Sequence, residues 1–276
     1  MGRVPRTSKL ANTFSFLRSI LIFTPLIWIY TIILAALSLI SSLFDRSGRV
    51  QHGFARFWSW LILKTVMCPL QVSGLGDLDL AKPRVYAVNH LSALDIPVLY
   101  AGLPMQFRIM AKRELFRYPF LGWHLRRSGQ VAVDVEDVPV AGGVPNDQLV
   151  TKGKINLTSV RAVLHALRGG MPLVIFPEGG RSQSGRIKPF MSGAFFFAIK
   201  ARVEVIPVAI VGTYEALPMN TFHVRPRPLH LIVGMPIATS GYTSRQAEQL
   251  AMRVQREVEA LYYGNAEVRE PVLDQR

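Results

Sequence analysis

RVYAVNHLSALD, residues 84–95, is the stretch on which the fold turns. Its first five residues form a short apolar run of the kind found in strands buried on both faces. Asn89 ends the run. Ser92 and Asp95 then stand three apart, as in the cap of a helix that begins at once. The same kind of apolar run recurs at Pro172–Phe176, Val205–Val211 and Leu229–Val233. Between the runs, Val160, Val163, Leu164 and Leu167 repeat at helical spacing, and Gly169-Gly170 supplies the stop. A last helix is predicted from Ser244 to Tyr263, with Thr243 and Gln246 as a capping box. Its buried stripe is Ala247, Leu250, Ala251, Val254, Val258 and Leu261. Strands alternating with helices predict an α/β fold with a mixed, mostly parallel sheet flanked by helices. Residues 134–156 are polar and contain Gly and Pro, and are expected to be a loop.

The N-terminal part reads differently. Residues 19–44, SILIFTPLIWIYTIILAALSLISSLF, hold no charge over 26 positions. At about 1.5 Å per residue they would make roughly 39 Å of helix, enough for a bilayer core of about 30 Å. Pro25 is expected to kink that helix near its start. Arg3, Arg6, Lys9 and Arg18 precede the run, which argues for a cytoplasmic N-terminus, although Arg46, Arg49 and Arg56 follow it. A second apolar stretch, residues 57–70, is interrupted by Lys64 and suits an interfacial helix. The expectation is a membrane-associated helical hairpin over residues 1–73, followed by an α/β domain over 74–276.

The chain has 276 residues, of which 50% are hydrophobic and 18% charged. That excludes a disordered chain. A single cysteine, Cys68, excludes a disulfide framework and a Cys-rich zinc site. The net charge of +14 is concentrated: residues 82–127 carry eight basic and two acidic side chains, and residues 161–202 carry seven and one. An anionic partner is expected near these blocks. Zinc-finger spacings, RNP signatures and basic heptads are absent from the sequence, so nucleic acid is not expected, whereas an anionic lipid surface or a phosphorylated substrate fits.

Four elements bear on chemistry. His90 follows the end of a strand, where open α/β sheets bind their ligands, and Asp95 follows five residues later. A carboxylate on one imidazole nitrogen leaves the other able to take a proton from a hydroxyl. FPEGGRS, residues 176–182, also follows a strand; its glycines allow close backbone approach, and Arg181 offers a fork suited to phosphate. KREL, residues 112–115, lies in the first basic block and reads as a basic helix face. IPVAIVG, residues 206–212, says by itself only that a strand is buried.

In this order and spacing, over roughly residues 80–235, the four elements together resemble the glycerolipid acyltransferase family. The resemblance implies that His90 is the general base and Asp95 its orienting partner. It places Glu178, Gly179, Arg181 and Ser182 with the glycerophosphate acceptor, Lys112 with the same phosphate, and Ile206 and Pro207 on the acyl-donor side. The implied reaction moves a fatty acyl group from a thioester to the sn-2 hydroxyl of lysophosphatidic acid, giving phosphatidic acid for phospholipid biosynthesis. Acyl-CoA or acyl carrier protein would be the co-substrate, with no cofactor and no metal, and the catalytic domain would sit on the cytoplasmic face of a membrane. Two positions depart from the family's pattern. Gly180 stands where a Thr is common, and Val135 follows Asp134 where an Arg is common. Three other readings stay open. Glycerol 3-phosphate or another lysophospholipid could be the acceptor, His90 and Asp95 could belong to a metal-dependent phosphohydrolase, or the chain could be a membrane adaptor without catalysis.

Overall fold

Val85 and Ala87 face one apolar cluster, Tyr86 and Val88 face another, and all four are fully buried. A strand with no solvent face needs helices on both sides, and the chain supplies them. The computed structural model describes residues 9–45, 47–76, 78–119, 121–138, 150–154 and 157–265. Helices α1 (Lys9–Arg18), α2 (Thr24–Ser41) and α3 (Arg49–Thr65) precede strands β1 (Leu70–Ser73) and β2 (Val85–Val88). Then come α4 (Asp95–Gly102), β3 (Arg108–Lys112), α5 (Leu121–Arg127), β4 (Val131–Val138), β5 (Val150–Lys154), α6 (Leu157–Arg168) and β6 (Leu173–Ile175). The last elements are α7 (Gly193–Ala201), β7 (Val205–Val211), α8 (Thr213–Ala216), β8 (Leu229–Val233) and α9 (Ala247–Asn265).

The strands form one sheet in the order β1-β8-β7-β2-β6-β3-β4-β5. Among the described residues its pairings are parallel except β7 with β8 and β4 with β5. One face packs on α6, α7 and α9 through Val163, Leu167, Phe195, Leu250 and Val254. The other packs on α3 and α4 through Ile62, Leu63, Val98 and Leu99. The predicted capping box at Thr243 and Gln246 is formed, and α9 buries the expected stripe, with Tyr262 beside Leu261 completing it.

Three expectations are corrected. Residues 134–156 are not one loop: β4 and β5 pair antiparallel from Asp134↔Lys154 to Val138↔Val150, and the residues between these strands lie outside the described set. Asp134, Glu136 and Asp137 hid the strand, while Val131 and Val133 carried its buried period of two. Such charge suits the rim of a sheet, where it discourages pairing with another chain. KREL is not a helix face either. Lys112 ends β3, and a 3₁₀ turn covers Arg113–Arg117. Finally, Leu70–Ser73, which the sequence reading gave to the N-terminal segment, is an edge strand paired with β8.

The N-terminal helices do form a hairpin, with the Trp58 indole donating to Thr31 Oγ1 across it at 2.7 Å. Upstream of Pro25 the helix widens. Ser19–Phe23 is a π turn in which the Thr24 amide and hydroxyl both donate to the Ser19 carbonyl. Proline has no N–H to give to the carbonyl four residues back, and a one-residue bulge absorbs the mismatch. Among the described residues, Thr13–Ser41 is the one helix long and apolar enough to cross a membrane by length and composition. Arg3, Arg6 and Arg46 lie outside the described residues.

Candidate active site

Strands β7, β2, β6 and β3 are neighbours and run parallel, so the segments leaving their carboxyl ends gather along one edge of the sheet. His90 lies two residues beyond β2. Its Nδ1 is 2.8 Å from Asp95 Oδ2, and its ring stacks on Phe176 beyond the end of β6, with centroids 4.0 Å apart. Asp95 Oδ2 also accepts the amides of Leu91 at 2.8 Å and Ser92 at 2.9 Å. Asp95 Oδ1 accepts the Thr213 hydroxyl at 2.6 Å. The carboxylate is wholly buried, and its donors replace the water it has lost. An acceptor so engaged requires the proton of His90 on Nδ1, which leaves the Nε2 lone pair open. The His90 side chain is 16% exposed, and among the described residues no hydrogen bond engages Nε2. The capping box that Ser92 and Asp95 suggested is half formed: Asp95 accepts the Ser92 amide, but the Ser92 hydroxyl accepts the Leu94 amide instead of that of Asp95, and Leu94 stands at the N-cap. One carboxylate thus bonds both the turn that precedes α4 and the imidazole of His90.

The FPEGGRS segment divides into two kinds of residue. Glu178 is buried, and its two oxygens accept the backbone amides of His90 at 2.6 Å and Lys188 at 2.9 Å. It ties the loop carrying His90 to the loop carrying Lys188 and shows no face to a ligand. Burial pushes its carboxyl up to about 8, against the pull of the two amides and the Lys188 charge. Ser182 is buried too, and its amide donates to the His90 carbonyl at 2.9 Å. Glu178 and Ser182 therefore hold His90's backbone from either side. Gly179 turns the chain at φ 75°, a conformation that side chains resist. Arg181 is half-buried, and no hydrogen bond or ion pair engages its guanidinium among the described residues. It is the residue of this segment placed to meet an anion.

Lys112 ends β3 on the same edge of the sheet, and β3 neighbours β6. Ile206 and Pro207 sit inside the sheet, level with Tyr86 and Ala87 of β2, and both are buried. A proline is tolerated there because it falls in a gap between the last β7–β8 pair, Val208↔Val233, and the bridge Val205↔Ile237, with its carbonyl still accepting the Gly234 amide. What β7 delivers to the site is Thr213, just past its end. The sequence reading stopped at Gly212 and missed it, since a lone Thr after a buried strand carries no pattern. Lys188 was missed as well. Its Nζ lies 3.8 Å from where a Cβ on Gly180 would stand, so the absent threonine side chain leaves room beside a cation. At the other departure, Asp134 is held by a two-pronged contact with Arg113, at 2.5 and 3.0 Å. Among the described residues no group of three His, Cys, Asp or Glu side chains is arranged to hold a metal ion.

Comparison with known proteins gives a consistent result. Residues 69–211 match the acyltransferase family. The chain is 31% identical over 181 residues to a chloroplastic 1-acyl-sn-glycerol-3-phosphate acyltransferase of Brassica napus, covering 65% of this chain and 48% of that protein. The chain thus spans about half the length of the plant relatives it matches. It is 30% identical to the Helicobacter pylori protein of the same name, covering 66% of this chain and 71% of the relative. The crystal structure of the 1-acyl-sn-glycerophosphate acyltransferase PlsC of Thermotoga maritima superposes with a TM-score of 0.70 at 21% identity, over 95% of this chain and all of that one. That likeness establishes a shared fold.

Proposed function

The chain belongs to the acyltransferase family, and on that footing we propose that it acylates the sn-2 hydroxyl of lysophosphatidic acid from an acyl thioester. The observation that carries this reading is the His90–Asp95 pair, at 2.8 Å and with Nε2 open, at the carboxyl edge of the sheet. Two relatives named for the same acyl transfer support it.

In this mechanism His90 Nε2 takes the proton of the acceptor hydroxyl as its oxygen attacks the thioester carbonyl. Asp95, anionic and fixed by backbone amides, stabilises the imidazolium that forms. As the tetrahedral intermediate collapses, the C–S bond breaks and the imidazolium returns its proton to the leaving thiolate. Atoms and charge balance without a covalent acyl-enzyme. Arg181, with Lys188 beside Gly180 and Lys112 at the end of the neighbouring strand β3, fixes the phosphate and thereby the hydroxyl. Arg181→Ala is expected to raise the acceptor KM about tenfold or more, the worth of one charge-assisted contact, with a smaller change in kcat. An unchanged acceptor KM in steady-state kinetics would remove Arg181 from this role.

The test of the reaction is transfer of a labelled acyl chain by purified protein. Lysophosphatidic acid, glycerol 3-phosphate and a second lysophospholipid are offered in parallel, each with acyl-CoA and with acyl carrier protein thioester. Label appearing in phosphatidic acid supports the proposal and names the donor. Preference for another acceptor reassigns the substrate within the same chemistry, and no transfer at all would refute catalysis.

The N-terminal hairpin fits a lipid acceptor. Ile29, Ile32, Ile33 and Ile40 of α2 are exposed. Both ends of the helical run are nonetheless bonded to the α/β body. Ser19 Oγ bonds both backbone groups of Val224, Ser15 meets His223 at 3.0 Å, and Ser38 meets His124 at 3.1 Å. A helix bonded to one domain at both ends would have to carry that domain through the bilayer to span it. We therefore place α2 along a membrane surface with its apolar face inserted. Ile29→Arg with Ile33→Arg is expected to weaken vesicle binding by about 10²-fold or more, since arginine costs about 2.5–3.5 kcal/mol in the hydrocarbon. Activity on acceptor dispersed in detergent should persist. Unchanged flotation of the double variant with vesicles would overturn this placement.

A further inference from the structure

We infer that Thr213 is a positioning residue of the active site, which engages Asp95 Oδ1 and so holds the carboxylate with Oδ2 turned to His90 and the two amides beside it. The inference rests on the acyl-transfer reading and adds to it a residue outside every motif that pointed there. Asp95 Oδ2 serves His90 and two amides, whereas the sole described partner of Oδ1 is the Thr213 hydroxyl, at 2.6 Å. Without that bond Oδ1 is buried with no described donor and the carboxylate is held through Oδ2 alone.

The chain spends several features to bring this hydroxyl there. Beyond the β2–β7 ladder, the Asn89 side chain accepts from the Ile210 amide at 2.7 Å and donates to its carbonyl at 2.9 Å, continuing the pairing by one more rung. Ser92 Oγ donates to the Leu217 carbonyl at 2.7 Å, tying the segment after β2 to the segment after β7. Gly212 makes the turn between strand and threonine at φ 93°, and a Cβ there would meet the Pro228 carbonyl oxygen at 2.7 Å. Thr213 is fully buried. A buried hydroxyl satisfied by a carboxylate is a costly choice unless the carboxylate needs it.

The ionisable groups around Asp95 are His90 on its own turn, Glu178 after β6 and Tyr262 on α9. None of them lies between Thr213 and the carboxylate, so the hydroxyl can be removed without removing a charge. A hydroxyl donating to Oδ1 draws charge from the carboxylate. Its removal should strengthen the hold of Asp95 on the His90 imidazolium and loosen the geometry together.

The experiment is the pH profile of acyl transfer for wild-type protein, Thr213→Val and Thr213→Ser, with the folded fraction checked by heat unfolding. For Thr213→Val the expected result is a kcat about tenfold lower, the scale of one charge-assisted hydrogen bond. Its acid limb should also move to higher pH, and Thr213→Ser should restore both. A Val profile superimposed on wild type, or displaced to lower pH, overturns the inference, as does a Ser variant no better than Val. If Thr213→Val does not fold, Thr213→Ala takes its place, since it adds no bulk. Absence of transfer by the wild-type protein would instead refute the acyl-transfer reading, so the two failures are distinguishable.

Discussion

His90→Ala is expected to lower kcat by about 10²–10⁴-fold, the usual contribution of a positioned general base, while the protein folds as before. The fold should survive because His90 is held through its backbone. Its amide donates to Glu178 and its carbonyl accepts from Ser182, and neither bond needs the imidazole. Loss of the ring removes the stack on Phe176, worth about 0.5–1.5 kcal/mol, and one of the donors to Asp95. The Leu91, Ser92 and Thr213 donors remain. The measurement is single-turnover acyl transfer beside a heat-unfolding curve. Near-normal turnover by a folded variant would end the case for His90 as base.

Asp95→Asn should produce a comparable loss of kcat, on the order of 10²–10⁴-fold, by removing charge while keeping shape. An asparagine here can point its oxygen at His90, Leu91 and Ser92 and donate its NH₂ to the Thr213 hydroxyl, which can accept. The contacts then survive, but the imidazolium formed during transfer faces a neutral amide. The acid limb of the rate profile is expected to move to lower pH, because a histidine without its carboxylate binds its proton less tightly. Asp95→Ala is a different experiment. It strands the buried donors of Leu91, Ser92 and Thr213, at about 1–3 kcal/mol each, and should lower the unfolding temperature strongly. An Asp95→Asn protein with wild-type kcat and an unmoved profile would show that the carboxylate is only a helix cap.

Much of the site was legible because it follows local rules. A strand running into a polar turn and a helix start is written in consecutive residues, so His90 and Asp95 could be located at a strand end. The glycines and arginine of residues 176–182 could be read in the same way. What each residue does there was less legible. Glu178, grouped with the acceptor by resemblance, spends both oxygens on backbone amides. Ile206 and Pro207, grouped with the acyl donor, are buried within β7. Their side chains lie within the sheet, and just past the strand's end the Thr213 hydroxyl donates to Asp95. The hairpin of β4 and β5 was obscured for the opposite reason. Asp134, Glu136 and Asp137 in β4 and Lys152 and Lys154 in β5 put charge into a strand pair at the sheet rim, which masked the pattern.

By itself the sequence determined the elements whose signal is periodic or local. These are the doubly buried strands β2, β6 and β7, the strand β8, the stripes of helices α6 and α9, the capping box before α9, and the long apolar N-terminal run. It also determined the pair of residue types able to activate a hydroxyl. Only the tertiary structure decided which strands are neighbours, and with that which of their ends share a site. The adjacency of β7 and β2 brings Thr213, 118 positions along the chain from Asp95, within 2.6 Å of it. The same packing turned a membrane-length helix into one bonded at both ends to the body it accompanies. Hydrophobic periodicity records how much of a segment is buried, but not against what. Partners distant in sequence are chosen by the packing of the whole sheet and its covering helices.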